Sequence, residues 1–144
     1  MTSPAQTQSA TPEKIVIVVA DGLDAAIVAN ACALLSLSVG AAYPALIGPD
    51  VLDQGGGVHA GICTLPVPVL HASAARLGEL ADADRPGVRV IGFTRTAASC
   101  HTYPEYIAAM AGTASAELDF LGLALAGPKK QVNSLTGSLP LLRA

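Results

Sequence analysis

The fold is decided by the stretch KIVIVVA, residues 14–20, a continuous run of mostly β-branched residues. Because such a run has no polar face, it predicts a central strand that is covered on both sides. Asp21-Gly22 ends the strand. Asp24 is then placed to cap a helix that runs from about Ala25 to Leu37 or Val39.

Strand and helix signals alternate along the rest of the chain. The glycine-rich residues 53–57 predict a flexible connection, in a region that forms either a loop or a hairpin. Pro66 and Pro68 restrict the next strand to a sheet edge or an irregular border. The pattern predicts strands over 64–70, 88–93 and 120–126, and helices over 72–80, 103–110 and after Pro128. This order indicates an α/β fold, a three-layer α/β/α sandwich with a mixed sheet of at least four strands.

Composition indicates one domain and a reducing compartment. With 144 residues and 51% hydrophobic content, the chain suits a single domain over residues 14–144. Residues 1–13, rich in Ser, Thr, Gln and Pro, predict a disordered tail without signal-peptide character. The odd number of cysteines, three, argues against a disulfide framework and for the cytoplasm.

The uncharged stretch over residues 25–49 is the one membrane-like segment. Gly40 and Pro44 interrupt it, and Asn30 lies within it, so we expect a buried helix and no membrane span.

The distribution of charge argues against nucleic-acid binding. The net charge is −3, and no Lys or Arg occurs between Lys14 and Arg76. A surface that binds a phosphate backbone needs cations, so we expect no nucleic-acid partner.

The closing segment LGLALAGPKKQVNSLTGSLPLL, residues 121–142, places Lys129 and Lys130 in the first turn of a helix that starts at Gly127-Pro128. Cations are unfavourable there because the helix dipole is positive at its N-terminus. An anion held between the lysines and the free N–H groups would explain them. The alternative is that both side chains extend into water.

Standard catalytic signatures are absent from the sequence: it has no G-x-S-x-G, phosphate-binding loop, H-E-x-x-H or C-x-x-C motif. We predict a pocket at the carboxyl end of the first strand, because ligands of α/β sheets usually bind there. Its catalytic candidates are His59 as acid or base, with Asp21 and Thr136. Lys129 and Lys130 would bind a carboxylate or phosphate, bordered by Asp21 or Asn30. The predicted substrate-binding residues are Asn30, Lys129, Lys130 and Asn133.

The cysteine and histidine side chains suggest two alternative sites, a zinc site and a thiolate nucleophile. Two His and two Cys would suit tetrahedral zinc, but their spacing fits no standard module, so we expect no metal and no cofactor. A thiolate nucleophile at Cys63 or Cys100 is the second alternative, and a buried free thiol is the commoner fate. The four zinc candidates are His59, Cys63, Cys100 and His101.

Several segments resemble a known family. KIVIVV, IGPD, PVPVL, IGFTRTA and LGLALAGPKKQVNSLTGSLPLLR are similar to the bacterial domain-of-unknown-function family numbered 2000 over residues 14–143. That family is similar in turn to the type-two peptidyl-tRNA hydrolases, whose Val-Thr-Gly-x-Leu motif is matched by residues 135–139. The resemblance implies the three-layer sandwich, often as a homodimer, and it carries over Thr136 alone as a site residue.

The resemblance to the hydrolases weakens at the substrate side. Their first helix starts with a Gly-Lys-rich segment, whereas residues 21–30 here contain no lysine. We therefore expect a protein that binds a small anionic molecule, a hydrolase or acyl-transfer type of enzyme. A peptidyl-tRNA hydrolase-like esterase and a non-catalytic dimeric regulatory module are the alternatives.

Overall fold

A computed structural model describes residues 11–143. These residues form six strands and five α-helices, with two short 3₁₀ turns at Pro44–Leu46 and Ser115–Glu117. The strands are β1 (Lys14–Ala20), β2 (Val51–Leu52), β3 (Val58–His59), β4 (Val69–Ala72), β5 (Arg89–Thr94) and β6 (Phe120–Gly127). The helices are α1 (Ala25–Ala42), α2 (Ala74–Ala81), α3 (Arg95–Ala98), α4 (Tyr103–Ala111) and α5 (Lys129–Thr136).

The main sheet has four strands in the order β4-β1-β6-β5. β1 is parallel to β4 and antiparallel to β6, and β5 is antiparallel to β6. The predicted mixed sheet with an interior first strand is therefore confirmed. β1, β4 and β5 all run in one direction, so their carboxyl ends share one edge of the sheet.

Both faces of β1 are buried, as its apolar sequence requires. Ile15, Ile17 and Val19 belong to the core that contains the inner side of α1. Val16 and Val18 belong to the second core, which contains α2 and α5. Because successive side chains of a strand alternate between faces, this single run supports helices on both sides of the sheet.

Helix α1 differs from the expectation of a buried helix. Of its 18 residues, only Ala31, Leu35 and Val39 are buried, since one side alone packs on the sheet. The helix is long and apolar enough to cross a membrane by length and composition, yet only 17% of it is buried in the protein. Asp24 holds the N-cap position, but its side chain makes no capping hydrogen bond.

The start of the next strand also differs from its prediction. β4 begins at Val69, because Pro66 and Pro68 keep the preceding residues out of the ladder. Residues 53–57 form the turn of the β2–β3 hairpin. The tail predicted over residues 1–13 lies outside the described residues except for its last three, of which Glu13 donates its N–H to Gly127 O at 3.1 Å.

Candidate functional site

An aspartate and a histidine meet at the carboxyl ends of two parallel strands. The β1–β4 register pairs Val19 with His71 and Ala20 with Ala72. Asp21 is the first residue after β1, so the register brings its side chain beside that of His71. Asp21 Oδ1 and His71 Nδ1 lie 2.7 Å apart.

The hydrogen bond assigns the tautomer of His71. An ionised carboxylate only accepts hydrogen bonds, so Nδ1 carries the proton, and in the neutral imidazole Nε2 presents a lone pair. Within residues 11–143, Nε2 has no hydrogen-bond partner. The side chain of His71 is 36% exposed and that of Asp21 is 55% exposed, so both are accessible to a small solute.

The pair lines a cleft of about 400 Å³, a volume typical of small-molecule sites. Gly22, Leu23 and Val28 form one wall, and the C-terminal segment Pro140–Arg143 forms the other. Two hydrogen bonds hold that segment against β4, from His71 N–H to Pro140 O at 3.1 Å and from Leu142 N–H to Val69 O at 2.8 Å. The segment thereby places Arg143 at the cleft.

The predicted lysines lie at the opposite edge of the sheet. β6 is antiparallel to β1, and its register pairs Lys14 with Gly127. Asp21 follows the other end of β1, about 20 Å away at ~3.3 Å per residue. The expectation that Asp21 or Asn30 borders Lys129 and Lys130 is therefore wrong.

The start of α5 already has an anion from the same chain. The Lys129 N–H donates to Glu13 Oε1 at 3.3 Å, and Lys14 Nζ donates to Asn133 Oδ1. Glu13 therefore supplies the negative charge that favours a helix N-terminus. Lys129 and Lys130 are both exposed.

The other predicted residues are dispersed. Thr136 is buried and its Oγ1 donates to Val132 O at 2.9 Å within its own helix. Asn30 is exposed on α1. His59 lies on β3 of the exposed hairpin. Of the predicted site residues, Asp21 alone lines the cleft with His71.

His59 has a different partner, Asp53. Its Nε2 lies 2.8 Å from Asp53 Oδ2, and the Gly55 and Gly57 N–H groups both donate to Asp53 Oδ1 at 2.9 Å. The His59 hydrogen bond, followed by those from Gly57 and Gly55, lowers the pKa of Asp53. These contacts organise the hairpin turn.

We expect the Asp53 carboxyl to titrate below its ordinary pKa of 3.8. Because folding depresses this pKa, the turn is stabilised above pH 3.8 and loses that stabilisation as the pH falls through the lower folded value. Amide NMR shifts of Gly55 and Gly57 report the transition, and Asp53→Asn should abolish it. A midpoint at or above 3.8 would contradict the assignment.

The thiols show no nucleophile or metal geometry. Burial raises the pKa of Cys32, and the Cys100 thiol donates to Thr96 O at 3.2 Å. Across residues 11–143, no three His, Cys, Asp or Glu side chains are grouped so as to hold a metal ion. All three cysteines are free.

His71 was not among the site residues predicted from the sequence. Its signal is a polar residue near the end of an apolar strand, two residues before the helix-capping Ser73. His71 becomes a site residue only because the β1–β4 register brings it beside Asp21, which lies 50 positions earlier in the sequence.

Comparison with known proteins places the chain in a family. The model of the family described as "Protein of unknown function (DUF2000)" matches residues 13–143, and no curated protein matches. A solved structure of Atu0240, a protein of unknown function from Agrobacterium tumefaciens strain C58, is similar with a TM-score of 0.81 and 18% identity. The similarity covers 90% of this chain and 97% of that one, which shows a shared fold. The chain belongs to the DUF2000 family.

Proposed function

We propose that the protein binds a small anionic molecule in the cleft of Asp21, His71 and Arg143 and hydrolyses an ester or related acyl bond in it. The observation that carries this proposal is the 2.7 Å contact between Asp21 Oδ1 and His71 Nδ1. A carboxylate that orients an imidazole is a recurrent arrangement for general acid–base chemistry.

In the proposed reaction, the tautomer with a free Nε2 lets His71 act as a general base. Nε2 of His71 takes a proton from a water molecule as that water attacks the acyl carbon, and Asp21 stabilises the resulting imidazolium. The imidazolium then returns the proton to the leaving oxygen as the acyl–oxygen bond breaks. Arg143 pairs with a carboxylate elsewhere on the substrate and orients it.

The test is an assay with two 4-nitrophenyl esters, the hemisuccinate with a free carboxylate and the uncharged butyrate. Arg143→Gln should lower kcat/KM for the hemisuccinate by roughly tenfold or more, because a charge-assisted hydrogen bond is lost. The butyrate should be little affected. Equal losses on both esters, or no hydrolysis of either above background, would overturn the proposal.

We also propose that the fold belongs with the type-two peptidyl-tRNA hydrolases and that the protein is cytoplasmic. The Gly127-Pro128 junction before α5 and the Leu135-Thr136-Gly137-Ser138-Leu139 motif support the first. The three free cysteines support the second. Activity on tRNA is not proposed, because the Thr136 hydroxyl is already bonded within its own helix.

We expect no measurable binding to tRNA at physiological salt. No cation occurs between Lys14 and Arg76, and phosphate contacts supply most of the affinity for nucleic acids. Filter binding with deacylated and aminoacylated tRNA checks this expectation. Micromolar affinity with a steep salt dependence would contradict it.

A further inference from the structure

A second cleft lies between helix α1, the edge strand β5 and the segment that leads into α4. Its volume is about 380 Å³, within the range of small-molecule sites. One side comes from α1, another from residues 91–93 of β5, and the third from the segment between Cys100 and Tyr106. Among residues 11–143, it has no lining residue in common with the Asp21–His71 cleft, so the proposed reaction leaves it unexplained.

Most of the chain's aromatic side chains are gathered at this second cleft. The sequence has only two Phe, three Tyr and no Trp, and Phe93, Tyr103 and Tyr106 all line the cleft. The rings of Tyr103 and Tyr106 pack edge to face, with their centroids 5.4 Å apart and their planes at 70°. An edge-to-face pair covers one face of one ring, so ring surface is left for a planar ligand.

Packing within the protein does not account for the two tyrosines. The structure describes all nine residues of α4, and none of them is buried. Tyr103 is 71% exposed and Tyr106 is half-buried. Because an aromatic ring stabilises a fold chiefly by being buried, these rings contribute little to the free protein. A ligand that fills the cleft would bury them.

The polar groups of the lining suit an uncharged ligand. Among the described residues, no Lys, Arg, Asp or Glu lines the cleft. Four polar side chains of the lining have no hydrogen-bond partner within residues 11–143, and each can both donate and accept. They are the hydroxyls of Ser38, Tyr103 and Tyr106 and the imidazole of His101.

We propose that this cleft binds a small uncharged aromatic molecule with a hydroxyl or N–H group. The ring of the ligand stacks on the Tyr103–Tyr106 pair, and its polar group bonds to a lining hydroxyl or to the His101 imidazole. An anion would find no Lys or Arg in the lining. A cation would find no carboxylate, because Glu105 lies outside the lining and accepts the His101 N–H at 2.9 Å.

Amide NMR titrations of the full chain with three matched compounds test the proposal. 4-Methylphenol and 4-methylcyclohexanol share a hydroxyl and a carbon skeleton, but only the first is aromatic, and 4-methylbenzoate is aromatic but charged. 4-Methylphenol should cause saturable shifts at Gly92, His101 and Tyr106, with a Kd on the order of 1 mM, as expected for so small a ligand. The other two should bind roughly fivefold or more weakly, since one lacks the ring and the other must lose its hydration.

Two substitutions remove the rings without adding a charge. Tyr106→Leu and Tyr103→Leu should each weaken the binding of 4-methylphenol by roughly three- to tenfold, the usual contribution of an aromatic pair. Tyr103 is too exposed for the fold to depend on it, so at least one variant stays folded, which circular dichroism checks. Ile107→Ala is the matched control, because Ile107 is 58% exposed on the same helix and does not line the cleft.

His71→Gln should leave the Kd of 4-methylphenol unchanged, because the two clefts are separate. A weakened Kd in that variant would place the phenol at the Asp21–His71 pair and overturn the proposal. Equal Kd values for 4-methylphenol and 4-methylcyclohexanol would also overturn it. So would shifts that do not saturate, or binding that is unchanged in both tyrosine variants.

Discussion

Replacement of His71 by glutamine is expected to lower kcat for the hemisuccinate ester by about 10²–10⁴-fold, the usual contribution of a general base. Glutamine keeps a polar side chain of similar size but cannot take up a proton near neutral pH. Stopped assays with purified wild type and variant measure kcat.

His59→Gln is the matched control, because it makes the same substitution in the other carboxylate–histidine pair. We expect it to leave kcat unchanged. Asp21→Asn should lower kcat in the same direction as His71→Gln, since it removes the charge that orients and stabilises the imidazole. A large loss in the His59 variant with none in the His71 variant would place the chemistry on the hairpin.

The second large effect concerns stability. Leu123 is fully buried in β6, within the core shared by β1, α2 and α5. Leu123→Ala should lower the free energy of unfolding by about 2–5 kcal/mol, through lost burial and the cavity left behind. Urea titration followed by circular dichroism measures it.

Ile107→Ala serves as the exposed counterpart and should cost less than about 1 kcal/mol. Comparable losses in the two variants would mean that β6 is not at the centre of the fold. If Leu123→Ala changes how steeply the free energy of unfolding falls with urea concentration, the substitution has instead altered the compactness of the unfolded or native state.

Local sequence patterns predicted most of the strands and helices well. The run at residues 14–20 identified an interior strand because two apolar faces are visible in the sequence itself. The bounds of α4 and β6 differ from their predictions by one residue. In contrast, the sequence around the glycine-rich residues 53–57 could not distinguish a loop from a hairpin, because two-residue strands leave too little alternation to detect.

The candidate site was harder to predict because it depends on strand direction and register. A parallel β4 places His71 beside Asp21, whereas an antiparallel β6 carries Lys129 to the far edge. Neither direction is visible in a single sequence. Residue types alone also cannot show that the Glu13 carboxylate accepts a hydrogen bond from the Lys129 N–H at the start of α5.

Small anions are expected to bind at the Asp21–His71 edge and not at the lysines of α5. The most direct measurement is a titration of the ¹⁵N-labelled protein with succinate, followed by amide NMR shifts at constant ionic strength. Saturable shifts at Gly22, His71 and Arg143, lost in Arg143→Gln, are the predicted result. Saturable shifts confined to Lys129, Lys130 and Asn133 would contradict the account.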